Sequence, residues 1–429
     1  MRKARVIWLS AVAACLLLAP ASSFGAGFAL FEHGARGVAL GGAFGATADD
    51  PTAIYYNPAG LAFQNGTQLA AGVYFITETS KFSGDNPYPG KGYTVDMKSQ
   101  IFYPPHVYLA GELTPDLHWG VGVFAPFGLG TWWPSDYAGK YITKRVDLRV
   151  FDVNPNLAYR VSDNLSLAVG VDYFYSNLDL TKSLGAVSPY TQQVAEVGQV
   201  HLFTAFKGGF GWNAAMLAKL GGGFSFGAGY RSNVEISYKG KASFVQFPTG
   251  HPDFDAIVAT QVPFGKQPQA ETKIKFPDEV RLALAWHGQK WGIEGDLVRS
   301  GWSSFKYLPI TLPDYPALST VRAENYKDSD TYRLGIEYKA SADLWWQLGA
   351  VLDRTPVPTS SVSPLLPDAE RKGASIGASI GLTPKTRLDV SYFYLKFKDR
   401  PTLGVNDDNY EGTYKTSANL FGFTVVHKF

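Results

Sequence analysis

Past residue 15 the chain has no cysteine. The single Cys15 lies in the apolar opening segment, so the rest of the protein has neither disulfide staples nor thiol chemistry. Long apolar runs are equally scarce: behind that opening segment, no stretch is long and unbroken enough for a membrane helix. Charged residues make up only 18% of the chain and sum to +2, which leaves no basic tract for nucleic acid. The seven histidines show no metal-ligand spacing, and none is followed two residues later by serine. Gly37, Gly41, Gly42 and Gly45 form a glycine-rich run, but no strand precedes it and no lysine follows at a phosphate-loop position. The expectation is a protein that is not an enzyme and needs no cofactor and no metal.

What the chain does have is an export signal, abundant aromatic residues and a period of two. Arg2, Lys3 and Arg5 precede the apolar run Val6–Ala19 and a small, turn-prone stretch ending at Gly25. This pattern is a secretory signal peptide, residues 1–25, with cleavage expected before Ala26. Aromatics reach 14%. From Leu165 to Tyr175 every second residue is large and apolar, while Ser166, Ala168, Gly170 and Asp172 fall between. The same alternation runs through Phe224–Tyr230, Val280–Trp286, Tyr332–Tyr338 and Leu388–Tyr394. It places the charges on one face and ends the apolar face on Tyr or Trp, as an interfacial girdle does.

Connection lengths alternate as well. Thr114-Pro115-Asp116, Ser162-Asp163-Asn164, Gly221-Gly222, His287-Gly288-Gln289, Ser341-Ala342-Asp343 and Thr383-Pro384-Lys385 are short. Between them lie long connections near 83–102, 129–147, 181–206, 241–271, 307–328, 356–371 and 399–416. Short turns on one side and long loops on the other describe an up-and-down barrel in an outer membrane. A soluble sandwich has no reason to alternate its loops this way. The fold class expected is all-β: a transmembrane antiparallel β-barrel of about 14 strands over residues 64–429.

Residues 26–63 do not read as strand. They are rich in Gly and Ala and are broken by Asp49-Asp50-Pro51 and Asn57-Pro58-Ala59-Gly60, which mark turns. They are expected to form an N-terminal hatch, a plug of short helices inside the lumen. Here the chain resembles the FadL-type (OmpP1/FadL/TodX) outer-membrane transporters of Gram-negative bacteria. Ala26-Gly27-Phe28, Ala48-Asp49-Asp50 and Asn57-Pro58-Ala59 carry the resemblance. It continues in Pro126-Phe127-Gly128, Tyr230-Arg231-Ser232, Trp302-Ser303-Ser304-Phe305 and Pro367-Asp368.

That resemblance implies a monomeric fourteen-stranded barrel, with a hatch closing the lumen, that passes hydrophobic molecules such as long-chain fatty acids. Monoaromatic hydrocarbons are the alternative cargo, and a polar-solute porin is a more distant reading. It further implies contact with outer-membrane lipids and lipopolysaccharide, handling by the barrel-insertion machinery, and ligand contact at Phe28 and Leu30. In the family a kinked third strand opens the wall sideways.

The residues themselves add expectations. Pro126 cannot donate to a ladder and Gly128 permits unusual dihedrals, so Pro126-Phe127-Gly128 should bulge or kink, with Phe127 a candidate ligand contact. Asn57 should satisfy nearby backbone while Pro58 fixes a turn before Ala59. Surplus apolar residues in the 181–206 and 241–271 connections make Phe203, Phe206, Phe254, Ile257 and Val258 candidate ligand contacts, with a short amphipathic helix starting near Asp253. Arg231 and Arg281 face the lumen, where each can pair a ligand carboxylate or an internal acid such as Asp296.

Overall fold

A computed structural model describes residues 27–429; the expected export signal and Ala26 lie outside the described residues. The alternating segments form a closed antiparallel barrel of 14 strands. β1 is Gln68–Gly84, and β2 is built from Thr94–Asp96, Gln100–Phe102 and Pro105–Glu112. β3 (Leu117–Trp132), β4 (Arg145–Ser162) and β5 (Leu165–Val187) follow. β6 joins Val194–Thr204 to Lys207–Gly221, β7 joins Phe224–Arg231 to Val234–Gln246, and β8 joins Gln269–Phe276 to Glu279–His287. β9 joins Trp291–Ser300 to Tyr307–Thr311, and β10 joins Thr320–Ala323 to Ser329–Lys339. β11 (Leu344–Asp353), β12 (Arg371–Thr383), β13 (Thr386–Phe397) and β14 (Gly412–Lys428) complete the wall. β14 pairs back onto β1 along its whole length, from Lys428 opposite Gln68 to Gly412 opposite Gly84. The sheet therefore closes on itself, so neither its first nor its last strand is left as a free edge.

The period of two sorts residues between lipid and lumen. On β5, Leu167, Val169, Val171 and Tyr175 are exposed on the outer face, whereas Ala168, Asp172 and Phe174 are buried inside. Trp291, Trp346, Tyr392 and Tyr394 are likewise exposed, which suits residues at a membrane boundary.

Two of the expected loops are mostly strand. β5 continues to Val187 and β6 begins at Val194, so the connection near 181–206 shrinks to 188–193. β7 reaches Gln246 and β8 begins at Gln269, which leaves room for the helix α3, Pro252–Gln261. The apolar surplus in these stretches is itself a period-two pattern. Val200 and Ala242 turn inward beside Phe244 and Ala270, while Glu235 and Lys239 lie on the outside. The wall thus rises beyond the apolar band and encloses a chamber above it.

Inside lies the hatch, with α1 (Ala35–Ala39), α2 (Ala53–Tyr56) and a 3-10 turn at Pro58–Phe63. Asn57 starts that turn: its Oδ1 accepts from Ala59 N at 3.1 Å, and its Nδ2 donates to the carbonyls of Gly45 and Met216 at 2.7 and 3.0 Å. Wall glycines let the hatch backbone lie against the sheet. A Cβ on Gly227 would stand 2.1 Å from the Gly45 carbonyl oxygen, and one on Gly349 would stand 2.0 Å from the Gly41 nitrogen.

Candidate functional site

The body of the hatch is tied to the wall by charge. Arg36 is buried and pairs with Asp49 at 2.5 Å and Glu337 at 2.7 Å. Asp50 pairs with Arg387 at 2.7 Å. Asp296 accepts from the Phe44 and Gly45 amides, and Glu294 from the Ala46 and Thr47 amides. A charge taken from water needs partners of this kind. Arg281 bonds Asp296 at 3.1 Å and the Gly42 carbonyl at 3.3 Å. Arg231 pairs with Asp152 at 3.1 Å and with Asp172. Both arginines are therefore committed to internal acids.

The tip of the hatch meets the wall differently. β3 shifts register between Phe124 and Phe127. Below the shift it pairs with β2 up to Val123 opposite Val107. Above it, Thr94–Asp96 and Gln100–Phe102 of β2 pair with β1, and β3 pairs with β4 as far as Trp132 opposite Arg145. A window is left between β2 and β3. Its upper rim is bridged by Lys98 N donating to Trp132 O at 2.7 Å. Pro104 and Pro105 on one side and Pro126 on the other lack the amides that would close it. The bulged backbone of β3 turns to the hatch instead: Leu30 N donates to Pro126 O at 2.8 Å, and Gly128 N donates to Phe28 O at 3.1 Å. Phe102 lies across the opening, since a Cβ on Gly130 would stand 2.3 Å from its ring.

Phe28 is 6% exposed and sits in a cluster of rings. Its centroid is 4.7 Å from Trp302, 5.9 Å from Phe305 and 6.1 Å from both Phe127 and Phe276. Trp302 and Phe305 come from 301–306, where β9 leaves the sheet and bonds to the 324–326 segment of β10. Beside the tip, Glu32 is buried, and its Oε2 accepts from Phe31 N at 3.0 Å. Burial pushes its carboxyl up from 4.5 to about 7, against the pull of nearby backbone amides and of Arg333 and Arg371.

Above Phe28 lies a cavity of about 870 Å³, counting its open mouth. Leu129 of β3, Leu148 of β4, Leu178 and Leu180 of β5, Leu202 of β6, Ile274 of β8 and Leu308 of β9 line it, and Leu365 and Leu366 fold in from the 354–370 connection. Glu271 borders it but turns its carboxylate to Lys239 on the outer face at 3.4 Å, which leaves Glu324 as the inward acid; no Arg or Lys is among the lining residues. Glu324 pairs with Arg322 at 3.0 Å. The cavity can hold an apolar chain or ring, and it begins beside the window.

The structure brings together Phe28, Leu30, Phe127 and the Pro126–Gly128 bulge at the window, whereas Phe203, between inward Leu202 and Thr204, turns its ring outward to within 5.1 Å of His201. Other candidates lie elsewhere. Phe206 is 37% exposed and stacks on Tyr175 outside the barrel, because the interruption at 205–206 turns its side chain outward. Phe254 and Val258 pack with Val197 in a separate cluster that seats α3. Ile257, 55% exposed, is on the solvent face of that helix. The residues that sequence reasoning missed, Phe102, Phe276 and most of the cavity leucines, are inward positions on strand extensions. Their own period of two was the available signal.

Residues 16–429 match the family of outer membrane protein transport proteins (OMPP1/FadL/TodX). The chain is 25% identical over 435 residues to the long-chain fatty acid transport protein of Salmonella typhi, covering 98% of each. Among solved structures it is similar to a Pseudomonas aeruginosa FadL homologue, with TM-score 0.84 and 19% identity over 94% of this chain and 100% of that one. It is also similar to the P. putida toluene transporter TodX, with TM-score 0.70 and 17% identity over 92% and 98%.

Proposed function

Because the chain belongs to the OMPP1/FadL/TodX family of outer-membrane transport proteins, we propose that it is a passive channel for hydrophobic small molecules, with long-chain fatty acids as the principal cargo. The observation that carries this reading is the continuity of three features: an apolar cavity, the Phe28 ring cluster beneath it, and a window in the wall where β3 bulges. The hatch fills the lumen below, so the cavity leads sideways. A molecule drawn from the outer face enters the chamber, displaces contacts around Phe28 and leaves between β2 and β3 into the membrane.

Lateral release has a physical basis. Each methylene returned to water costs about 0.8 kcal/mol, so a chain of some fifteen methylenes would meet a barrier of roughly 12 kcal/mol on its way to the aqueous periplasm. Release into lipid avoids that step. The S. typhi relative's name, a long-chain fatty acid transport protein, supports this cargo class. A second reading, neutral monoaromatic hydrocarbons, is favoured by one observation: the cavity lining is mostly apolar and includes no Arg or Lys to hold an ionised fatty-acid head.

Competition binding on the purified barrel tests both. A bound fluorescent fatty acid is expected to be displaced by oleate and more weakly by toluene. Displacement by toluene alone transfers the assignment to hydrocarbons. Binding of neither, together with open-channel ion conductance, would overturn the hydrophobic-channel reading.

A further inference from the structure

The outer wall carries a charged patch that neither the cavity nor the window uses. Lys372 of β12 stands directly opposite Lys396 of β13, and Lys415 of β14 directly opposite Lys81 of β1. Lys396 opposes Ser417, two residues from Lys415, so the two pairs are diagonal neighbours. All four lysines are exposed. Directly opposed residues hold their Cβ atoms about 4.5–5.5 Å apart and diagonal ones about 7–8 Å apart, and like charges so placed repel. Lys415 reaches Asp399 at 3.0 Å on an exposed surface. Of the other three, Lys81 has exposed Asp96 directly opposite on its other flank, while Lys372 and Lys396 make no ion pair with any described residue.

Neighbours set the level of this patch. Tyr394, two residues before Lys396 on the same outer face, is exposed, as are Tyr392 and Phe421 below it. Aromatic residues of this kind mark the membrane boundary. The lysines occur at the strand ends that lead into long connections, opposite the short turns. Between Phe421 and Lys415 the outer face offers hydroxyls: Thr79 Oγ1 and Ser417 Oγ lie 3.1 Å apart. The order from the bilayer outward is therefore aromatic girdle, hydroxyls, ammonium groups.

We propose that Lys81, Lys372, Lys396 and Lys415 bind the phosphates of a phosphorylated glycolipid in the outer leaflet. Such a molecule supplies acyl chains for the apolar wall, sugar hydroxyls for the Thr79–Ser417 level and anionic charge that relieves the lysines' repulsion. Lysine suits the role as a mobile point charge without a fixed fork geometry. The proposal rests on the outer-membrane location of the family and is independent of the cargo.

The test uses the full barrel, stripped of lipid in non-ionic detergent and titrated with a bisphosphorylated glycolipid, its dephosphorylated form and inorganic phosphate. Bound lipid is counted by native mass spectrometry. The phosphorylated form is expected to bind at least tenfold more tightly than the dephosphorylated one, and inorganic phosphate at the same concentration is expected not to displace it. A K372Q/K396Q/K415Q variant should lose at least tenfold in affinity while K290Q/K385Q, at exposed lysines of the short turns, matches wild type. Equal binding of the two lipid forms, an unaffected triple variant, or displacement by inorganic phosphate alone would each overturn it.

Discussion

Two stretches of one hatch are held in the barrel by different forces. The body, from Gly34 to Phe63, is fixed by buried ion pairs and by wall carboxylates that accept its amides: Arg36 to Asp49 and Glu337, Asp50 to Arg387, Asp296 and Glu294 to residues 44–47. The tip, Gly27 to Phe31, is fixed by aromatic edges, two backbone hydrogen bonds to the β3 bulge, and Arg371 on the Gly27 carbonyl at 2.6 Å. Ion pairs are directional, and breaking one leaves a buried charge behind. Apolar contact is non-directional, so a greasy ligand can replace what Phe28 loses when it moves aside, whereas no such ligand can replace Glu337. On the channel proposed above, the same segment would serve as a rigid stopper at one end and an exchangeable contact at the other.

The sharpest way to break this contrast is to damage the body. Arg36→Met strands buried Glu337 beside a half-exposed Asp49 and is expected to cost about 3–5 kcal/mol. The stopper should loosen, so planar-bilayer recordings should show an ion leak that wild type lacks. A variant that stayed electrically silent would mean the body is held by its close backbone fit to the wall glycines and owes little to charge.

Glu32 lies where tip and body meet. Its folded pKa, about 7, stands above the 4.5 of the unfolded chain, so the folded hatch keeps a proton that the unfolded chain gives up. The stability tied to that proton is fully present below pH 4.5 and is lost as pH rises through 7. The loss should reach roughly 3 kcal/mol by pH 8. Glu32→Gln keeps an oxygen for the Phe31 amide, so it should flatten this pH dependence and raise the thermal midpoint at pH 8. Scans from pH 5 to 8 with no difference between the two proteins would place the Glu32 carboxyl in contact with water.

The smallest effect belongs to the tip. Phe28→Leu keeps an apolar side chain but loses the ring edges against Trp302 and Phe127, and should cost about 1–1.5 kcal/mol of stability. Fatty-acid affinity should weaken severalfold with no ion leak, while Phe206→Ala, altered on the outer face, should change neither. A leak in Phe28→Leu would erase the division between stopper and contact.

Much of the architecture was legible in the chain. Strand faces followed from alternation because a pleated strand turns every second side chain the same way. The hatch followed from a Gly- and Ala-rich stretch between turn signals. The helix near Asp253 followed from its spacing and is α3. The candidate site was less legible. Phe203 and Phe206 sit three apart in one apolar stretch, a spacing that simple alternation puts on opposite faces, yet both rings lie on the outer side, against His201 and Tyr175, because the interruption at 205–206 reverses the alternation between them. Ile257 and Val258 are adjacent, and the helix buries one and exposes the other.

By itself, then, the sequence determined the barrel, its even strand count, the plug, the bulge at Pro126 and which faces are apolar, since all of these are set by local periodicity and local backbone chemistry. Only the tertiary structure decided which acid answers which arginine. Arg231 meets Asp152 and Asp172, Arg281 meets Asp296, and Arg36 takes Glu337 from across the lumen. It also decided that Phe28 meets Trp302, and that four lysines from four strands form one patch. Such pairings depend on the register and closure of the whole sheet, which brings together residues hundreds of positions apart, and no window of sequence contains that information.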